Sequence, residues 1–169
     1  MRLLLIRHGK AGDSDAWIKQ GKDDALRPLT SEGKREMRAA AKGLRKIVDK
    51  IDALATSPLK RAVKTAEIVF AAYDDRPQFL EAPPLESGPP AKVVSWLRSH
   101  DLDHAEAIVA LVGHEPYLSR WAGFFLTGKE KPLAKFKKGT VAVIDFPAAL
   151  APGRGVISGL HHPTDLKRM

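Results

Sequence analysis

The sequence predicts an α/β fold in three layers, a mostly parallel central sheet with helices on both faces. Three observations carry this expectation. Residues 3–6 are apolar without alternation, as a strand covered on both sides requires. Two more short strands, residues 52–57 and 107–112, run almost directly into helical segments. An amphipathic helix of clear 3.6-residue period lies between the first two strands. Strands alternating with helices build parallel crossover units, and such units need helices on both faces of the sheet.

Each element has a local reason. After the first strand, residues 9–24 read as a polar, glycine-containing loop. Over residues 29–51, Met37, Ala40, Ala41, Leu44, Ile47, Val48 and Ile51 recur at three- and four-residue steps, while lysines and arginines take the opposite face. Ser57 before Pro58 marks a helix start over residues 58–73, with the serine oxygen as cap and proline at the first helical position. Residues 74–90 are rich in Pro, Asp and Glu and read as a loop with one short strand at 78–80. A short helix follows at 91–100, then the strand at 107–112 and a helix from 116 to Gly128. Two late strands, 140–146 and 155–161, flank a Pro/Gly turn.

The chain has 169 residues, enough for one domain over 1–169 with a continuous core. Its apolar runs are far too short to span a bilayer, and the N-terminus lacks a signal-peptide pattern, so a cytoplasmic location and no membrane partner are expected. Cysteine is absent, which excludes disulfides and thiolate chemistry. The net charge of +8 suits a phosphate-bearing partner, although clusters such as KREMR and KFKK also read as solvated helix faces. No zinc-finger spacing or aromatic-interleaved basic array is present, so specific nucleic-acid binding is not expected.

Ligands of open α/β sheets bind beyond the carboxyl ends of the strands. The first strand ends in Arg7 and His8, the second runs through Ser57 into a helix carrying Arg61, and the strand at 107–112 leads to His114. Two arginines and two histidines at one edge repel one another unless an anion sits among them, and arginine pairs bidentately with phosphate oxygens. A phosphoryl group is therefore the natural guest. Arg7 would bind it, His8 would reach its phosphorus, and Gly9 would let the backbone pass close by.

These residues resemble the histidine phosphatase superfamily, also called phosphoglycerate mutase-like. The resemblance rests on LIRHG at 5–9, TSPLKRAVKTA at 56–66 and VGHEP at 112–116, in that order, and it covers nearly the whole chain. The short length and RPLTSEG at 27–33 are most similar to SixA-type phosphohistidine phosphatases. The resemblance implies a phosphoglycerate mutase-like fold and a metal-independent phosphatase without cofactor. In it His8 is the nucleophile that forms a phosphohistidine intermediate, Arg7 and Arg61 clamp the phosphoryl oxygens, and His114 donates to them. Ser57 is a helix cap that can also touch substrate.

Larger members of that family protonate the leaving group with a glutamate after the third strand. Here Glu81 and Glu86 lie in that region; Glu86 is the candidate acid, with Asp13 second. Expelling an alkoxide demands such a donor, whereas imidazole leaves readily, which favours phosphohistidine in a protein as substrate. The alternatives are a broad small-molecule phosphomonoesterase on the same fold, or a non-catalytic phosphate-binding module. His161 and His162 read as tail residues rather than metal ligands, because adjacent histidines diverge and no third ligand is suitably spaced. Trp17 would either line the pocket mouth or pack locally.

Overall fold

A single sheet of six strands, in the order β3-β2-β4-β1-β5-β6, organises the computed structural model, which describes residues 1–133 and 135–169. The strands are β1 (Arg2–Arg7), β2 (Ala53–Thr56), β3 (Gln78–Glu81), β4 (Ile108–Gly113), β5 (Val141–Asp145) and β6 (Val156–His161). The first four are mutually parallel; β5 runs antiparallel to β1 and β6 antiparallel to β5. The helices are α1 (Ser14–Lys19), α2 (Ser31–Ile47), α3 (Lys60–Phe70), α4 (Pro84–Ser87), α5 (Pro90–Ser99), α6 (Tyr117–Thr127) and α7 (Pro163–Leu166).

The unbroken apolar run of β1 follows from its central place. Leu3 and Leu5 pack with Leu97, Trp121 and Phe125 from α5 and α6 on one face. Leu4 and Ile6 pack with Met37, Leu44, Ala62 and Ala66 from α2 and α3 on the other. Both faces are thus cores, and the three-layer α/β architecture is the one the sequence predicts.

Register decides where the strands finish. Arg7 pairs with Gly113, and Thr56 pairs with Val112. The residues one step beyond, His8, Ser57 and His114, therefore emerge side by side at the carboxyl edge.

Several local expectations need correction. The segment after β1 is not an unstructured loop: Asp13 caps α1 by accepting the Ala16 amide, and Asp23 caps a 3-10 turn over Asp24–Leu26. Helix α2 stops at Ile47 rather than at 51. Val48 turns extended, yet Val48 and Ile51 stay buried because the chain leading into β2 still crosses the core. Helix α3 starts at Lys60 rather than Pro58, its cap position is Leu59, and no side chain caps it. Ser57 is consequently not the helix cap; its oxygen accepts the Leu59 amide within a turn at 3.3 Å. Among the described residues no helix is long and apolar enough to cross a membrane.

Candidate active site

His8 follows β1 directly and is only 3% exposed. Its Nδ1 donates to the Gly9 carbonyl at 2.8 Å, and a carbonyl can only accept, so the proton sits on Nδ1 and Nε2 carries the free lone pair. Burial, with the charges of Lys138, His114 and Arg61 nearby, pushes the ring down to about 2, so the imidazole is neutral. The Gly9 amide donates to Thr65 Oγ1, whose hydroxyl donates to the Arg61 carbonyl at 2.8 Å, tying the β1 end to α3. At Gly9 there is also a steric need for glycine. A Cβ there would sit 2.6 Å from Met37 Cγ, so helix α2 is what crowds it.

Four cations gather beside this imidazole: Lys138, which touches the ring, and three arginines whose charges act on that lysine. Arg7 is half-buried and donates through Nη1 to the Phe136 carbonyl at 2.5 Å. Arg61 is buried; its Nη1 donates to the Asp24 carbonyl and its Nη2 pairs with Asp24 Oδ2 at 3.0 Å. The other oxygen of Asp24 accepts from Arg27 Nε at 2.7 Å, and Arg27 Nη1 reaches the Gly12 carbonyl. Lys138 places Nζ 3.3 Å from His8 Nε2. Burial and the charges of Arg7, Arg27 and Arg61 push this lysine down to about 8.

The ring of His114 lies 5.0 Å from that of His8, centroid to centroid, and tilts 50° from it. Its Nε2 is 2.8 Å from Ser57 Oγ. The Ser57 oxygen accepts from Leu59 and its hydroxyl proton is free to go to Nε2; in that arrangement the His114 proton sits on Nδ1. Burial and the neighbouring cations push His114 down to about 3. Among the described residues, three buried side-chain nitrogens have no hydrogen-bond partner: Arg7 Nε, Arg61 Nε and His114 Nδ1. Donors left unpaired in a protein interior are costly unless a ligand takes them.

The structure therefore brings Arg7, His8, Arg61, His114 and Ser57 to one place. Glu86 lies in the first turn of α4 with an exposed side chain, near enough for its charge to be felt at Arg61. Asp13 is engaged as the cap of α1, and Glu81 is exposed at the end of β3. Trp17 packs locally, donating to the Asp23 carbonyl with Lys22 over its ring. His162 caps α7 by accepting the Thr164 amide, and among the described residues no group of three or more His, Asp or Glu could hold a metal ion.

Sequence reasoning missed Asp24, Arg27 and Lys138. The cluster KFKK is not a helix face: Phe136 is fully buried and Lys138 half-buried, while Lys135 and Lys137 are exposed. The signal that could have found Lys138 was an aromatic residue inside a basic run followed by glycine.

Residues 3–82 match the histidine phosphatase superfamily (branch 1). An uncharacterized protein of Picosynechococcus sp. is 33% identical over 82% of this chain and 81% of its own length. Among solved structures, the protein histidine phosphatase SixA complexed with tungstate superposes with a TM-score of 0.79 at 24% identity, covering 98% of this chain and 99% of that one. A phosphoserine phosphatase mutant from Entamoeba histolytica in complex with phosphoserine superposes with a TM-score of 0.65 at 15% identity, covering 98% of each chain. The two structural likenesses carry the fold, and the chain belongs to the histidine phosphatase superfamily. Membership makes phosphoryl-group hydrolysis its activity class.

Proposed function

We propose that this chain is a phosphohistidine phosphatase that works through a covalent intermediate on His8. The observation that carries this reading is the orientation of one ring: Nδ1 is spent on the Gly9 carbonyl, and the Nε2 lone pair faces a cluster of cations. In the proposed reaction Nε2 attacks phosphorus in line, and the bond from phosphorus to the leaving nitrogen breaks. The departing imidazole leaves neutral, its distal nitrogen keeping its proton. Water then attacks the phosphorus on His8 and returns the free imidazole and inorganic phosphate. Arg7 and Arg61 hold the equatorial oxygens, and His114 donates from Nδ1, so charge developing in the transition state meets fixed donors.

The choice of phosphohistidine follows from the acid. Asp24, the carboxylate bonded within the cluster, is committed to Arg27 and Arg61, and Glu86 stands exposed at the margin. An imidazole leaving group, with a reference pKa near ~6.5, needs less help than an alkoxide. Open clefts of about 450 Å³ beside Arg7 and about 380 Å³ beside Lys138 give room for a protein surface around the phosphoryl group. The likeness to SixA, a protein histidine phosphatase, points the same way.

The test is to trap the intermediate. Incubation with a protein labelled on phosphohistidine, quenched in alkali, should leave acid-labile label on the peptide containing His8, and His8→Ala should carry none. Absence of label together with full activity in His8→Ala would end this mechanism. Rapid hydrolysis of sugar phosphates with none of the phosphohistidine protein would move the enzyme to small molecules. Label that accumulates without turnover would make it a phosphate-binding module.

A further inference from the structure

We propose that Lys138 is a catalytic residue, an ammonium that passes from the His8 Nε2 lone pair to the phosphoryl oxygens as that nitrogen bonds phosphorus. The inference rests on the phosphatase reading of the pocket, and it adds a group that the sequence read as a solvated surface charge.

The first support is geometric. Lys138 Nζ stands 3.3 Å from Nε2, the one imidazole nitrogen with a lone pair to offer. Its position is fixed from both sides. Phe136, two residues earlier, is fully buried; its carbonyl accepts from Arg7 and its amide donates to Glu115 Oε1 at 2.7 Å. Gly139, one residue later, donates its amide to the carbonyls of both Arg7 and His8 at 3.1 Å. It does so at a φ of +76°, and a Cβ there would lie 2.6 Å from Pro163 and 2.9 Å from Met37 Sδ, so only glycine fits. The backbone that carries Lys138 is thus laced to the residue that carries the nucleophile.

The second support is chemical. One lone pair serves either the ammonium or phosphorus, not both. When the N–P bond forms, Lys138 loses that acceptor at the moment when phosphoryl oxygens arrive beside it. No proton moves; all three ammonium protons stay on Nζ and only the acceptor changes. Burial and three arginines weaken the lysine's hold on its proton, and an incoming dianion reverses that penalty, so the site gains by filling. Because the ammonium neighbours the attacking nitrogen, it meets equatorial oxygens and not the leaving group opposite. Its role is charge stabilisation, distinct from that of the acid.

The experiment measures orthovanadate binding by calorimetry and turnover of a phosphohistidine protein, in wild type, Lys138→Met and Lys138→Arg. The expected result for Lys138→Met is an orthovanadate affinity lower by about tenfold or more and a kcat/KM lower by about 100-fold. Lys138→Arg, which keeps the charge, should recover part of the orthovanadate affinity. Lys138→Gln gives the same comparison if methionine lowers the melting temperature. A folded Lys138→Met that binds orthovanadate within about threefold of wild type overturns the inference, since a lost ammonium contact costs more than that. The two readings fail separately. A wild type whose orthovanadate binding depends on Lys138, yet which releases no phosphate from phosphohistidine, breaks the functional reading alone.

Discussion

Arg61 and Arg27 enter the site as an ion-paired unit, joined through both oxygens of Asp24, whereas Arg7 and Lys138 enter it held by backbone and by a neutral ring. On the first flank Asp24 cancels part of the positive charge and fixes the guanidinium planes. On the second, among the described residues, no ion pair involves Arg7 or Lys138. The nearby Glu115 bonds the Phe136 amide and the Ser119 amide and hydroxyl. One flank is thus built for geometry and the other for charge, with His8 and His114 between them. A phosphoryl group would be oriented by the first and drawn in by the second.

Acid should break both flanks at once. The folded state holds His8 near 2 and His114 near 3, well below their ordinary value of 6.5. Between those limits the unfolded chain binds more protons, so stability rises with pH and is lost as pH falls below the unfolded value. The loss is at most about 1.4 kcal/mol per pH unit for each ring. Melting temperatures measured from pH 7 to about 4.5 should fall steeply, and His8→Asn and His114→Asn should each flatten that slope. Parallel slopes in wild type and both variants would mean that neither ring is held neutral by the fold.

Arg61→Lys keeps a charge but loses the planar fork and its grip on Asp24. Transition-state stabilisation should drop by about 2–4 kcal/mol, read from kcat/KM. A change below about tenfold would remove Arg61 from the proposed machinery. Asp24→Asn separates geometry from charge. It frees Arg27 and Arg61 from their shared carboxylate while making the cluster more positive, so kcat should fall about tenfold while orthovanadate binding stays level or tightens. A loss of orthovanadate affinity with kcat intact would reverse the assignment of the two flanks. The smallest effect belongs to Glu86→Gln: less than about threefold on phosphohistidine, and about tenfold or more on an alkyl phosphate, whose leaving group needs a proton. Equal losses on both substrates would show that Glu86 serves something other than leaving-group protonation.

Much of this arrangement was readable in the sequence because it depends on local signals. The unbroken apolar β1 and β4 announced buried parallel strands, and parallel strands place their following residues at one edge, which is how Arg7, His8, Ser57, Arg61 and His114 could be gathered on paper. The periodic face of α2 named Met37, Ala40, Ala41 and Leu44, all buried. What stayed hidden depends on long-range pairing. Asp24 and Arg61 lie 37 residues apart, and nothing local distinguishes Asp24 from Asp23, whose carboxylate caps the turn. Helix α1 is short, has no buried residue and owes its start to Asp13, so its pattern is indistinguishable from that of a polar loop. The KFKK run looks uniform in charge, yet burial of Phe136 turns one lysine inward and leaves its neighbours in water.

The bonds that complete the pocket join Arg7 to Phe136 and His8 to Lys138 across separations of 129 and 130 residues. In synthesis His8 is made more than a hundred residues before the segment that aims Lys138 and before β5, which flanks β1. A nascent chain carries His8 long before it has the surroundings that orient it. The proposed competence for phosphoryl transfer therefore waits on residue 138, and a polypeptide that stops short of it has the imidazole without the cations held around it.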